Sequence, residues 1–462
     1  MRTHFRRVPI FLLSALTLVF GSWGPAQGQL LDLATEVPGL TRSQAAVGAA
    51  IDFICPNLFE RGPTNAGQRD LLTQCSNMKG KNERGQVALG RSQLRDILGK
   101  VTSEQTSSQG TGAIETRAAQ FQAIGARLDA LRLGATGLKL GGLGFDLGGR
   151  TASAAPLDLG ETGGGASADA LGGRLGAFVN GVGSFGSKDA TDRETGFNFH
   201  TMGVTVGVDY RLAENLVAGA AFSYLRSESV MNVALGDVDS NSYGMSLYGT
   251  YYVGPVYVDV LSGFTWHDYS TARRIVYAPG PDGSGSAADA VDRTAEGDTI
   301  GRQFTLNVGA GYNFRQGGFT LTPYARMEFL NLHINGYTES GANGLDLHIK
   351  KQTEESLLTV LGGRLAYALS APFGVLVPAV HGEWRHEFLN DQRSIRAQFA
   401  NDPFNTVFRI PTDDPDRDYF AVGAGVSAAF AKGAAAFLEF ETVLGLRSVT
   451  NHNFTAGVRF EF

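Results

Sequence analysis

Asn453-Phe454-Thr455-Ala456-Gly457-Val458-Arg459-Phe460-Glu461-Phe462 is the stretch that decides the fold. Apolar side chains fall at Phe454, Ala456, Val458, Phe460 and Phe462, and polar or small ones at Thr455, Gly457, Arg459 and Glu461. Alternation of period two marks a strand with two unlike faces. In water, a terminal strand with so apolar a face would invite pairing with other chains. The pattern makes sense where that face meets lipid and the strand closes a barrel, because lipid leaves no backbone group unpaired at no cost. The competing expectation, the last strand of a soluble sandwich, is weakened by everything upstream.

Working back from it, about twelve antiparallel runs of the same kind are expected. They lie near 174–187, 195–212, 215–230, 238–253, 256–273, 297–314, 319–337, 355–369, 375–389, 417–431, 433–447 and 453–462. Phe304, Leu306, Val308, Ala310, Tyr312 and Phe314 alternate with Gln303, Thr305, Asn307, Gly309, Gly311 and Asn313. Tight turns at 213–214, 254–255, 315–318, 370–374 and 432–433 alternate with long polar loops at 188–194, 227–237, 274–296, 338–354 and 391–416. Short turns on one side, long loops on the other and an even strand number describe an outer-membrane barrel.

Composition agrees. Glycine, at 61 of 462 residues, is close to twice its ordinary share of about 7%, with no collagen period. A net charge of −6 without a dense basic patch argues against a nucleic-acid partner. Residues 1–28 read as a secretory signal peptide. Arg2, Arg6 and Arg7 precede an apolar run from Val8 to Phe20, and Ala26 and Gly28 supply small residues for cleavage after Gly28, with Ala26 the alternative. Export places the chain in an oxidising compartment, where Cys55 and Cys75, the two cysteines present, have a single pairing available.

Residues 29–133 read as a short helical domain. Thr41 caps a helix expected to end at Pro56; further helices are expected over 65–78, 91–101 and 113–132. In the last of these, Ile114, Ala118, Phe121, Ile124 or Gly125, Leu128 and Leu131 form one stripe, expected to pack on neighbouring helices. Residues 134–171 are Gly- and Ala-rich and read as a linker. That linker is expected to run through the lumen, the protein-lined route between a helical domain outside and a first strand starting on the turn side. The barrel itself covers 172–462.

Opposite the apolar rows stand Arg326, Glu328, Arg364, Glu383, Arg385, Glu439, Glu441, Arg459 and Glu461. Mixed charges on one face predict paired, hydrated side chains lining the lumen. His381-Gly382-Glu383-Trp384-Arg385-His386 lies on a strand, which sends His386 the opposite way from His381 and gives no helical histidine pair for zinc. His267, His333 and His348 lie near strand ends or loops without a catalytic motif. No catalytic, metal or cofactor residues are assigned, and no enzymatic activity is expected.

Residues 172–462 resemble the translocator domain of autotransporters, the type V secretion proteins. The resemblance is carried by Gly172-Gly173-Arg174-Leu175-Gly176 with Phe178-Val179-Asn180-Gly181, Phe185-Gly186, Pro378 with Trp384-Arg385-His386-Glu387-Phe388, Tyr419 with Gly423 and Gly425, and the end of the chain. There Thr455, Gly457, Phe460 and Phe462 look like the C-terminal signal for barrel assembly. The family implies a twelve-stranded barrel in the Gram-negative outer membrane with a pore occupied by the segment leading to an N-terminal passenger. It implies membrane lipid, the barrel-assembly machinery and periplasmic chaperones as partners. The chain departs from better-known members in its short helical passenger-like region and the absence of an Asn-Asn pair ahead of the barrel. The leading expectation is a barrel that anchors and helps translocate its own helical domain; the alternative is a surface adhesin or receptor using that domain and the long loops.

Overall fold

The computed structural model describes residues 31–79, 89–135, 174–232, 236–278, 290–389, 393–430 and 434–461. The signal peptide, nearly all of the Gly-rich linker and Phe462 lie outside the described residues.

Twelve long antiparallel strands form the barrel. They are β1 (Leu175–Lys188), β2 (Phe197–Ala213), β3 (Leu216–Met231), β4 (Gly236–Val253), β5 (Val256–Tyr277), β6 (Val291–Tyr312), β7 (Phe319–Ile334), β8 (Gln352–Tyr367), β9 (Gly374–Glu387), β10 (Asp418–Phe430), β11 (Ala434–Leu444) and β12 (Val449–Glu461). Each pairs with its sequence neighbour, and β12 returns to β1 in a register running from Gly176 opposite Glu461 to Lys188 opposite Val449. The chain's last strand is therefore the seam. Gly254 and Gly317 adopt φ of +57° and +59° in two of the tight turns, a conformation that costs glycine little.

The outward rows are apolar and exposed: Met202, Val204, Val206 and Val208 on β2, Val256, Val258 and Val260 on β5, Leu361 and Leu365 on β8, Phe454, Val458 and Phe460 on β12. Tyr312, Phe314, Phe319 and Tyr367 stand exposed at the turn end, the place of an aromatic girdle. No helix among the described residues is long and apolar enough to cross a membrane.

β5 and β6 are each 22 residues long, about twice the 9–11 that a tilted strand needs to cross. Their far ends rise above the lipid belt. Residues 227–231 and 236–237, read from sequence as parts of a long loop, are strand for the same reason: above the membrane the outward row turns polar and the pattern imitates a loop. The loops after β7 and β9 are also more ordered than their polarity implied. They form a four-stranded sheet in the order Phe408–Pro411, Ser394–Phe399, Leu347–Ile349, Tyr337–Thr338.

That sheet and the risen ends of β5 and β6 enclose the helical region. Its helices are α1 (Leu33–Glu36), α2 (Arg42–Arg61), α3 (Ala66–Lys79) and α4 (Arg91–Val101). Thr41 and Gln44 form a full capping box at the start of α2. Pro56, expected to stop this helix, lies inside it, and the helix runs to Gly62 at φ +78°. Burial of Ile54, Cys55 and Leu58 on both sides of Pro56 outweighs the lost hydrogen bond. The Cys55–Cys75 disulfide joins α2 to α3, with Cα atoms 5.6 Å apart. One core unites Ile51, Ile54, Leu71, Met78, Leu94 and Leu98 with Ile275, Tyr277, Val291, Leu347, Ile395, Phe399 and Phe408 of the barrel's upper wall and loop sheet. The helices are thus a cap seated in the long-loop mouth.

Two expectations follow. Phe460→Asp puts a charge on the lipid face of the seam strand and should abolish heat-modifiable barrel in outer-membrane fractions; normal amounts would refute this account of the seam. Cys55→Ser with Cys75→Ser opens a loop of 20 residues and should cost the cap about 3 kcal/mol, read by chemical denaturation of purified protein.

Candidate functional site

The lumen holds a helix. α5 (Ser108–Ala135) is 28 residues, hence about 42 Å long, enough to pass a hydrocarbon layer of about 30 Å. Its start follows the turn Glu104–Ser107 from the cap, and its far end lies among residues of the turn side. The helix packs on β1 to β5 and β12. Phe121, Ile124, Leu128 and Leu131 form a core with Phe178, Val217, Tyr248 and Leu261, while Ala119 meets Val182 and Leu225. The stripe read from sequence as a helix–helix surface is therefore a helix–barrel surface. Small inward residues leave the room: a side chain at Gly244 would collide with the Gln120 amide.

Polar latches run the length of the helix. Arg127 donates both Nε and Nη2 to Asp209, each at 2.6 Å, and Tyr248 donates to the same carboxylate at 3.0 Å. Both partners of this ion pair are almost wholly buried. Asn180 donates to the carbonyl of Ala123 at 2.7 Å. Glu115 accepts from Ser184 and Asn451, and Gln122 from Thr455. At the turn end Arg132 bonds Asp259 and Asp129, with its guanidinium over the Tyr257 ring at 3.9 Å, and Arg364 bonds Asp129.

Between α5 and the opposite wall remains a cavity of about 220 Å³. Arg326, Glu328, Arg364, Glu383, Arg385, Glu439 and Glu441 all line it. Arg326 bonds Glu328 at 2.7 Å and Glu383 at 2.5 and 2.9 Å; Arg385 bonds Glu383 at 2.8 Å and Glu441 at 2.9 Å. His381 lies 3.3 Å from Glu439 and 3.1 Å from Glu441. Arg459 shares the inward register of β12 but stands opposite Phe178, away from this cavity. His386 points outward and meets Asp418 at 2.8 Å. No group of three or more metal-binding side chains occurs among the described residues.

The C-terminal residues take separate places. Thr455 faces the lumen, Phe460 faces out, and Gly457 sits where a side chain would strike the Asn180 amide. His267 is buried between Ser242 and Gln303, and His348 bonds Thr338 on the loop sheet. Sequence reasoning missed Asp209, Asp259, Asn180 and the buried Arg127. The one signal of Asp209, Asp259 and Asn180 was an isolated charge or amide on an inward row, which many hydrated lumen residues share, and that of Arg127 an isolated charge on a helix.

The cap has its own latches on the rim. Buried Arg273 of β5 donates to Glu339 at 3.1 and 2.5 Å and to the carbonyls of Lys100 and Val101 at 3.0 Å, closing the C-terminus of α4. Arg293 of β6 holds Asp70 of α3 at 2.6 and 2.9 Å. Burial pushes the Asp70 carboxyl up, but bonds from Arg293 and the Gly344 N–H outweigh it and hold it below the usual carboxylate range. A depressed carboxyl stabilises the fold above its unfolded value and loses that as pH falls through the folded one, so this latch persists into mild acid.

Residues 177–441, more than half of the chain, match the family described as autotransporter beta-domain. The chain belongs to the autotransporter beta-domain family. It is an outer-membrane barrel of the Gram-negative type, with membrane lipid around its apolar rows. An extracellular serine protease of Serratia marcescens is 24% identical over 289 residues, covering 62% of this chain and 26% of the relative. Esterase EstA of Pseudomonas aeruginosa is 25% identical over 195 residues, covering 41% and 29%. The chain spans about a quarter of the length of these curated relatives. Among solved structures, the translocator domain of autotransporter NalP from Neisseria meningitidis aligns with a TM-score of 0.49 at 18% identity, over 64% of this chain and 91% of that one.

Arg127→Ala leaves the buried Asp209 carboxylate without its partner and should cost about 3 kcal/mol in thermal or denaturant unfolding. Replacing both, Arg127→Met with Asp209→Leu, should recover most of it. Equal losses in the single and double variants would show that the pair does not hold α5.

Proposed function

We propose that this autotransporter barrel anchors and helps translocate its own N-terminal helices, and then keeps them as a fixed cap on its own pore. The observation that carries this reading is the continuity of α4, the turn Glu104–Ser107 and α5 from the cap down the lumen. A passenger meant for release needs a weak foot on the barrel. Here the cap shares one core with the barrel rim, and Arg273 and Arg293 tie it there. α5 is the tether left in the pore. In this reading the chain does no chemistry; its work is insertion, transport of its own segment and closure. Insertion of twelve strands with exposed apolar rows calls for periplasmic chaperones and the barrel-assembly machinery as partners.

A second reading gives the cap a surface ligand. It is favoured by Phe53 and Phe59, both exposed on α2, with the Phe404 ring of the loop edge-on to Phe53. Both readings place the cap outside the cell.

A single measurement tests that placement. Glu60 is exposed on α2. A Glu60→Cys variant on intact cells should react with a membrane-impermeant maleimide. Labelling only after the outer membrane is permeabilised would put the cap in the periplasm and overturn the proposal.

A further inference from the structure

The loop sheet has two faces of opposite character. Leu347, Ile349, Ile395, Ala397, Phe399, Phe408 and Ile410 are buried against the cap. The other face carries Thr338, His348, Lys350, Ser394, Arg396, Gln398 and Arg409. Arg396 stands directly opposite Arg409 across one strand pair. On its other side Lys350 follows the pairing of Ile349 with Ala397, and its N–H bonds the Arg396 carbonyl at 2.9 Å. Three cations thus form one row over three neighbouring strands, with Cα spacings of about 5 Å. Like charges directly opposite destabilise a sheet. Arg396 and Arg409 are exposed.

Among the described residues no carboxylate pairs with Lys350, Arg396 or Arg409; the Arg409 guanidinium reaches only the Ser394 hydroxyl, at 3.5 Å. Arg393, next to the row, is by contrast paired to Glu354. Glu355, on the wall strand β8, accepts from Asn331 at 2.7 Å. His348 bonds Thr338, and burial together with the Lys350 ammonium pushes its imidazolium down, so the charge of the face is that of Lys350, Arg396 and Arg409.

We infer that this face binds the phosphate groups of a phosphorylated glycolipid of the outer leaflet. The inference rests on the long loops facing outward. The sheet grows from the loops after β7 and β9, above the lipid-facing row that includes Leu361 and Leu365, and its apolar side is turned to the cap. Its cationic side therefore looks over the leaflet around the barrel. Arginine forks bind phosphate oxygens through paired charge-assisted bonds, and neighbouring cations make one shared anion the way to relieve their repulsion. Bound lipid would clamp the loop sheet onto the cap from outside.

The test uses purified full-length protein in detergent, so it does not depend on export of the cap. Binding of diphosphoryl lipid A is compared with that of lipid A stripped of both phosphates. Wild type should prefer the phosphorylated lipid, and added salt should weaken the preference. Lys350→Gln with Arg396→Gln and Arg409→Gln should weaken binding about tenfold, and the charge-keeping set Lys350→Arg, Arg396→Lys and Arg409→Lys should retain most of it. Equal wild-type binding of the two lipids, or unchanged binding by the glutamine variant, would overturn the inference. So would displacement by inorganic phosphate at the lipid's own concentration, since the face would then be a site for free anions. Should the glutamine variant not fold, the wild-type comparison of the two lipids decides alone.

Discussion

The structure depends on the pairing of β12 with β1. A strand edge in lipid would leave a row of N–H and C=O groups without partners, each costing several kcal/mol. Closure removes the edge, and it requires the last strand to meet the first in one register, from Glu461 opposite Gly176 to Val449 opposite Lys188. With period-two alternation, a slip by one residue would turn Phe454, Val458 and Phe460 into the lumen and Thr455 and Arg459 into lipid. The closed cylinder then fixes the interior that every other feature must fit.

That interior is filled by two different means. On the side of β1 to β5, small and apolar inward residues admit α5, and a few buried polar bonds set its height and rotation. On the opposite side, Arg326, Arg364, Arg385 and the glutamates around them remain a charged cleft. The asymmetry is physically consistent. A helix packs well on one wall, and the far wall, left without a packing partner, balances its charges internally. Some of those charges reach across, as Arg364 does to Asp129.

Above the membrane the same cylinder becomes a socket. Lengthened β5 and β6 present apolar inner faces to the helices, and the loop sheet covers them from the side. A domain of this size has little core of its own. Its stability is shared with the barrel, to which the disulfide between α2 and α3 adds a local constraint. Cap, loop sheet and α5 are therefore packed on one barrel as a continuous body.

Alternation along each strand, the rhythm of short turns and long loops, and the cysteine count were enough to read the barrel, its strand number and the disulfide from sequence. These are local properties: each residue's face follows from its position in a period of two. The helices at 91–101 and 113–132 were legible for the same reason, in a period near 3.6. What lay beyond reach was which surfaces meet. The stripe Phe121, Ile124, Leu128 is equally suited to a helix or to a barrel wall, and only closure of the strands showed the wall. Pro56 reads as a stop until packing on both sides of it outweighs one hydrogen bond. The order in the loops after β7 and β9 was hidden because their strands are short and half polar. The pairing of Arg127 with Asp209, 82 residues apart, was hidden because an isolated charge carries no record of its partner. Sequence by itself determined the faces of the elements; the tertiary structure decided their partners, because contact across the lumen is set by the diameter and register of the closed barrel and not by any local pattern.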